Sequence, residues 1–236
     1  MRVSVINYCG NVGKTTVASH LLAPRMAKAE IYAVETVNET AADLGLEVDQ
    51  IRGGQFRDLF KRLMVCEGAI VDVGASNAEE FLARMMKFDG SHLEFDYFIV
   101  PVTSGAREQK ETIKTLKALA AVGVPRERIR VLFNRVENDV SAEFPAVLGF
   151  ADQSSSLVAN AEAAIYENEV FDLLTTKRTT IASVLADGTD YRALLASLDR
   201  EKEARNVSHY TDMHVIKALA RGINQQLDAA FRALFA

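Results

Sequence analysis

The sequence has very little cysteine. Among its 236 residues only Cys9 and Cys66 are cysteines. Two thiols so far apart form neither a disulfide framework nor the closely spaced ligand pairs of a zinc site. This composition excludes the small disulfide-stapled and zinc-stapled classes of protein, and we expect a cytoplasmic setting.

The sequence also lacks long apolar runs and an excess of basic residues. No run approaches the roughly 20 apolar residues of a membrane span. Val3, Val5 and Ile6 alternate as a strand that leads into a glycine-containing loop, so we expect no signal peptide. The net charge of −5 does not indicate direct DNA binding, although a local basic patch would permit it. The 49% hydrophobic content predicts a folded globular chain.

Residues 8–16 have the features of a phosphate-binding loop. They follow the apolar residues 2–7 and read Tyr8, Cys9, Gly10, Asn11, Val12, Gly13, Lys14, Thr15 and Thr16. A strand that leads through a Gly-Lys-Thr turn into a helix places backbone N–H groups around phosphate oxygens. Lys14 would reach the β- and γ-phosphates, and the Thr15 hydroxyl would ligate Mg²⁺. The loop predicts a nucleoside triphosphate site, although Tyr8 stands where the full pattern has its first glycine.

Two later strand ends carry polar side chains that suit the same site. Residues 69–74 form an apolar run with Asp72 near its end, and such an Asp lies across the Mg²⁺ from the phosphate loop. Gly74 would lie where the backbone responds to a γ-phosphate. Residues 131–135 end in Asn134 and Arg135, which would pair with and stack on a purine. The simpler alternatives are a capping Asp and an ordinary strand-end turn.

Apolar runs alternate with helical periodicity over most of the chain. The predicted strands are residues 2–7, 31–37, 68–73, 97–102, 129–136 and 146–150, and the predicted helices are 56–65, 79–87, 107–122, 179–186, 191–204 and 212–235. This alternation predicts an α/β fold, with a mostly parallel sheet flanked by helices. We expect a single domain over residues 1–236, with its sheet core over about 1–170 and a helical C-terminal extension over about 171–236.

Taken together, these motifs resemble the ParA/MinD group of P-loop ATPases. The resemblance is carried, in order and spacing, by residues 10–16, 72–74, 98–102 and 134–135. More narrowly, residues 5–15 and 21–26 resemble the StbB plasmid-stability proteins, which are encoded beside a DNA-binding partner.

The resemblance implies a molecular switch. It implies ATP or ADP with Mg²⁺ as cofactors, slow hydrolysis, a homodimer, and protein partners in plasmid partition, plasmid stability or conjugative transfer. By the same resemblance, Lys14, Asp72 and Glu35 would be catalytic, and Thr15 and Asp72 would hold the metal. Nucleotide would be bound by Gly10, Asn11, Val12, Gly13, Lys14, Thr15, Thr16, Asn134 and Arg135.

Three positions depart from the pattern of that group. Cys9 replaces the lysine that reaches into the partner subunit's site, and Asn11 replaces the second glycine of the loop. Where the group has an Asp-x-Asp pair that orients the attacking water, this sequence reads Glu35, Thr36, Val37 and Asn38. The resemblance therefore supports ATP binding more strongly than hydrolysis or a nucleotide-sandwich dimer.

Cys9 is predicted to be a reactive thiol. It lies just before a helix N-terminus and within reach of Lys14, and such surroundings lower the pKa of a thiol. A bound triphosphate would then slow its alkylation. The opposing interpretation is a buried, inert thiol that packs as a small apolar side chain.

Other polar residues are weaker candidates. The four histidines are predicted to have core or surface roles, without metal-ligand partners; they are His20, His92, His209 and His214. Lys110, Lys114 and Lys117 recur at helical spacing, as either a patch for DNA or a protein, or more simply a solvated face.

Three functions remain open at the level of sequence. The first is a ParA/MinD-like nucleotide switch. The second is a metabolic P-loop enzyme that resembles dethiobiotin synthetase and would need a substrate pocket beside the phosphates. The third is a nucleotide-binding scaffold that has lost hydrolysis.

Overall fold

The computed structural model describes residues 1–35, 44–51, 55–154, 157–199 and 203–236. Its centre is a seven-stranded sheet in the order β3-β2-β4-β1-β5-β6-β7, and every neighbouring pair is parallel. The strands are β1 (Arg2–Ile6), β2 (Glu30–Val34), β3 (Asp49–Ile51), β4 (Ala69–Val73), β5 (Tyr97–Val102), β6 (Ile129–Val136) and β7 (Val158–Tyr166). The predicted fold class, a parallel sheet flanked by helices, is confirmed.

Helices connect the strands and cover both faces of the sheet. They are α1 (Lys14–Thr16), α2 (Phe56–Val65), α3 (Ala75–Lys87), α4 (Ala106–Val122), α5 (Val140–Glu143), α6 (Pro145–Gln153), α7 (Val170–Lys177), α8 (Ile181–Ala186), α9 (Tyr191–Ser197) and α10 (Ala204–Leu234). Short 3₁₀ segments lie at Ala23–Arg25, Ser91–Glu94 and Arg126–Arg128. Among the described helices, none combines the length and apolarity needed to cross a lipid bilayer.

The two faces of the sheet pack against different sets of helices. On one face α2, α3, α4 and α6 cover a core cluster that includes Val71 and Val73. On the other face the π-helix Val17–Leu22, together with α7, α8 and α10, covers a second cluster that includes Val5 and Ile70. All five residues of β4 are buried, as expected for a strand covered on both faces. Because side chains alternate along a strand, Asp72 shares the face of Ile70, which α1 covers.

The helix that follows the phosphate loop is unusual. After one turn of α-helix it continues as a π-helix, Val17–Leu22, in which all six residues are buried. The helix that the sequence predicts after the loop is present, and none of these six residues is exposed to solvent. Arg25 fixes the end of this segment, because its guanidinium donates to the carbonyl of His20 at 3.0 Å and to the carboxylate of Asp228 in α10 at 2.9 Å.

One segment of secondary structure was mispredicted, and several elements were missed. Residues 146–150, predicted as a strand, belong to α6, which Pro145 opens as a first-turn proline. The strands β3 and β7 and the helix α7 were not predicted, and residues 36–37 of the predicted second strand lie outside the described residues. A short apolar run such as that at 146–150 is ambiguous between strand and helix, and the alanine-rich β7 lacks the β-branched residues typical of strands.

Candidate functional site

The phosphate-binding loop begins at a buried polar anchor that the sequence reading missed. The side-chain amide of Asn7 donates to the carbonyl of Pro101 at 2.8 Å and to the Thr112 hydroxyl at 2.7 Å, while its oxygen accepts the Cys9 N–H at 2.8 Å. A polar residue at the end of an apolar strand was the available signal. Asn7 fixes the point at which the backbone leaves β1 and turns into the loop.

Two residues of the loop have left-handed backbone. Asn11 has φ 59° and Gly13 has φ 85°. Gly13 is required for a second reason, because a Cβ there would lie 2.2 Å from the side-chain nitrogen of Asn134. The loop therefore has its shape from local conformation and from close contact with β6.

Lys14 is held inside the loop. Its side chain is 8% exposed, and Nζ donates to the carbonyl of Cys9 at 2.8 Å. Burial lowers the pKa of Lys14, and the nearby Asp72 carboxylate opposes that shift. A phosphate oxygen is a stronger acceptor for a cation than a peptide carbonyl, so the ammonium is prepared to exchange one for the other.

Thr15 and Asp72 meet at the end of β4. The Thr15 hydroxyl donates to Oδ2 of Asp72 at 2.8 Å. Burial raises the pKa of Asp72 to about 6, while the Thr15 hydrogen bond and the Lys14 charge oppose the shift. A hydroxyl and a carboxylate in contact are hard oxygen donors that suit Mg²⁺. The pair therefore fits the metal that the sequence predicts, because a divalent cation would also favour the ionised form of the buried carboxyl.

Glu35 and Gly74 adjoin this pair. The Gly74 N–H donates to the carbonyl of Val34 at 3.0 Å, and a Cβ on Gly74 would lie 1.7 Å from a carboxylate oxygen of Glu35. The Ser76 hydroxyl donates to the other oxygen of Glu35 at 3.1 Å. The structure thus brings Glu35 to the predicted metal site, whereas Thr36, Val37 and Asn38 lie outside the described residues.

Asn134 and Arg135, at the end of β6, have different surroundings. Asn134 is buried, and its amide donates to the carbonyl of Val12 at 2.9 Å. Arg135 is exposed, with φ 55°. Both line a small cavity of about 20 Å³ that also includes Thr16 and Phe171. Their predicted contact with a purine stays a prediction, to which the structure adds a contact between Asn134 and the phosphate loop.

Most of the predicted residues surround one cavity of about 500 Å³. The predicted residues that line it are Gly10, Asn11, Gly13, Lys14, Thr15, Thr16, Glu35, Asp72 and Arg135. Val12 is buried beneath the loop. The sequence reading missed the other polar and aromatic residues of the wall, His20, Phe171, Thr175 and Arg178.

His20 lies between the loop helix and the C-terminal helices. It is buried, its Nδ1 accepts the N–H of Ile181 at 3.5 Å, and its ring centroid is 5.7 Å from that of Phe171. Burial lowers the pKa of His20 to about 4. The neutral ring therefore packs as part of the core, as predicted for the histidines.

The prediction of a reactive Cys9 is wrong. Its side chain is 7% exposed, and burial, together with the Glu108 carboxylate, raises the pKa of the thiol against the smaller influence of Arg107 and Lys14. The position before a helix N-terminus is outweighed by removal from water. Cys9 is the buried apolar thiol of the alternative interpretation.

The lysines of α4 are exposed and engaged locally. Lys114 forms an ion pair with Glu111 at 2.6 Å, and the Lys117 ammonium lies 5.5 Å from the centre of the Phe150 ring. Lys110 is exposed on the same helix. These contacts are those of a solvated helix face.

Solved structures share this architecture. The cell division ATPase MinD of Pyrococcus furiosus aligns with a TM-score of 0.56 at 14% identity, over 92% of this chain and 97% of that one. MinD of Pyrococcus horikoshii OT3, complexed with Mg-ADP, aligns with a TM-score of 0.55 at 14% identity, over 95% and 98%. Apo McdA of Cyanothece aligns with a TM-score of 0.55 at 13% identity, over 94% and 98%.

The chain therefore has the fold of the MinD and ParA P-loop ATPases. No protein-family model matches the sequence, and the comparison with curated proteins finds no match. Identities of this size show the fold alone, and function depends on the residues of the site.

Proposed function

We propose that this chain is an ATP-binding molecular switch that hydrolyses ATP slowly and acts through protein partners. The observation that carries the proposal is the contact between Thr15 and Asp72 at one end of the cavity that the phosphate loop encloses. A loop of backbone N–H groups, a buried lysine and a hydroxyl–carboxylate pair are together the components that a nucleoside triphosphate with Mg²⁺ requires.

Each component has a separate task in this proposal. The loop N–H groups and Lys14 bind phosphate oxygens, and Thr15 and Asp72 hold Mg²⁺. The metal, when bound, neutralises charge that develops on the phosphates. Glu35 orients the attacking water from beside Gly74, whose N–H is hydrogen-bonded to Val34.

Slow turnover follows from what surrounds the phosphates. Cys9 is buried and uncharged, so it supplies no cation. Electrostatic stabilisation of the transition state is usually the largest contribution to phosphoryl transfer. We therefore expect turnover well below the roughly 1–10³ s⁻¹ of typical enzymes.

The cellular role belongs to the same proposal. The MinD neighbours are ATPases of cell division by their own description. The resemblance of residues 5–15 and 21–26 to StbB favours a role in plasmid stability, partition or conjugative transfer, with a DNA-binding protein as partner. A homodimer is compatible with this role, and direct DNA binding is not favoured by the net charge of −5.

Binding of a fluorescent ATP analogue with Mg²⁺ tests the proposal. Lys14→Ala should weaken binding strongly, because it removes the ammonium inside the loop, whereas Lys110→Ala on α4 is a matched control that should bind normally. ATP should displace the analogue better than GTP. Equal affinity of the Lys14→Ala variant and the wild type would reject this site.

Measurement of phosphate release distinguishes the three functions that the sequence leaves open: the switch, the metabolic enzyme and the scaffold. A switch should turn over slowly and respond to partner protein or DNA. A scaffold would bind ATP without any release, and a metabolic enzyme would release phosphate or ADP only with its small substrate.

A further inference from the structure

Arg178 lines the nucleotide cavity although no sequence motif includes it. Its exposed side chain shares the cavity wall with Lys14, Thr15 and Asp72. Within the part of the chain that the structure describes, its guanidinium takes part in none of the ion pairs. The cation is therefore available to a ligand in the cavity.

The helix α7 carries Arg178 to this position. Phe171, Thr175 and Arg178 follow one another at intervals of four and three residues, so they lie on one side of the helix and its end, and all three line the cavity. The carbonyl oxygen of Arg178 lies 3.9 Å from the position of a Cβ on Gly45, next to Leu44, which lines the cavity as well. One side of α7 thus forms a wall of the nucleotide site.

Helix termination does not explain an arginine at this position. Arg178 ends α7 with left-handed backbone, φ 51° and ψ 51°. Its N–H donates to the carbonyl of Thr175 at 3.1 Å, and the Thr179 N–H donates to that of Leu174 at 3.1 Å. Glycine is the residue that adopts such a helix end without strain, so the arginine is retained against a conformational cost.

The charged residues that line the cavity indicate why a further cation would be needed there. The cations among its lining residues are Lys14, Arg135 and Arg178, and the carboxylates are Asp72 and Glu35. A triphosphate carries more negative charge than Lys14 alone balances. A guanidinium binds phosphate oxygens in a bidentate manner, which makes arginine well suited to supply the additional charge.

We infer that Arg178 is a phosphate-binding cation that the chain supplies to its own nucleotide site. The inference rests on the proposed function, and it means that a phosphate-binding charge beyond that of Lys14 comes from the same chain.

The decisive variant is Arg178→Gly. It removes the cation while giving the helix end the residue that best adopts its backbone. We expect the affinity for ATP with Mg²⁺ to fall by about 10- to 100-fold, the usual effect of losing a hydrogen bond to a charged group. The melting temperature without nucleotide should stay equal or rise. Arg178→Lys should recover part of the affinity, and Arg192→Ala on α9 is the matched control with unchanged affinity.

The affinity and the melting temperature are both measured on the full chain. Affinity is measured by displacement of a fluorescent ATP analogue at several protein concentrations. Wild-type affinity in Arg178→Gly overturns the inference and leaves the proposed function intact, provided that Lys14→Ala still loses binding. An effect that appears only at concentrations where the chain dimerises places the cation in the partner's site and also overturns it. A wild-type chain that does not bind ATP overturns both.

Discussion

Asn134 donates its side-chain N–H to the carbonyl of Val12 at 2.9 Å, so the end of β6 holds the phosphate loop from beneath. The same nitrogen lies 2.2 Å from where a Cβ on Gly13 would be. Contact between strand and loop therefore exists only because residue 13 has no side chain. The conformation of the phosphate loop and the position of the Asn134 side chain therefore depend on each other.

Gly13→Ala should destabilise the protein and abolish nucleotide binding. The new methyl group would collide with Asn134, and a φ of +85° is strained for alanine. Steric overlap and backbone strain together should cost about 2–4 kcal/mol of unfolding free energy. Urea denaturation and ATP titration measure the two effects. Gly222→Ala on α10 is the matched control, because a Cβ there has nothing within 4 Å and the residue does not line the cavity, and an equal loss in both variants would contradict this account.

Asp72→Asn should stabilise the protein without nucleotide at neutral pH while removing Mg²⁺-dependent binding. The folded-state pKa of Asp72 is raised to about 6 from the ordinary 3.8. The native state thus holds a proton that the unfolded chain has lost, and stability from this group falls as pH rises from about 4 to about 6. At about pH 7 the variant should be more stable by up to about 3 kcal/mol.

Thermal melting of wild type and Asp72→Asn across that pH range checks the sign. The difference between the two proteins should shrink as pH falls from about 6 toward the ordinary pKa of 3.8, below which the carboxyl is protonated in both states. A wild-type chain that is the more stable of the two at neutral pH would show that folding does not raise the pKa of Asp72.

His20→Asn should make stability less sensitive to acid. The folded-state pKa of His20 is lowered to about 4 from the ordinary 6.5. The unfolded chain therefore takes up a proton first, and wild-type stability is lost as pH falls from about 6.5 to about 4, by up to about 3 kcal/mol. Asparagine keeps an acceptor for the Ile181 N–H but does not titrate. Denaturation at several pH values should show the variant losing less stability, and parallel pH profiles would contradict the prediction.

Cys9 should react slowly with iodoacetamide in the folded protein, with or without ATP and Mg²⁺. The thiol is buried and its pKa is raised by that burial. Cys66, which is only partly buried, should react faster. Mass spectrometry after timed alkylation measures both, and denaturant should make their rates similar. Rapid labelling of Cys9 in native protein would instead indicate an open loop.

The sequence pattern was sufficient to predict the central strands of the sheet, around the phosphate loop. The strands β1, β4, β5 and β6 are mostly apolar runs of five to eight residues, and the parallel sheet buries them on both faces. The Gly-Lys-Thr turn has a fixed geometry, so its contact with the β4 carboxylate follows from spacing alone. Local pattern predicts those parts of the site that lie at strand ends.

The remaining wall of the cavity depends on tertiary packing. Phe171, Thr175 and Arg178 lie on α7, a helix of eight residues whose direction is set by contacts of Val170 and Leu174 with the core. His20 is brought to the cavity by a π-helix, which no periodicity of 3.6 residues anticipates. Such residues carry no motif, since their neighbours come from distant parts of the chain.

The central position of β1 in the sheet also affects how the chain folds during its synthesis. β1 pairs with β4 and β5, which begin at residues 69 and 97. During translation the phosphate loop therefore emerges beside an unpaired apolar strand, and distant parallel pairings form slowly. The core cluster that holds Val3 and Val5 also includes residues of α10, so it is complete only when that helix has been made. The nascent polypeptide therefore exposes the apolar strand β1 at least until β5 has been made, and its second core cluster is completed only near the end of synthesis.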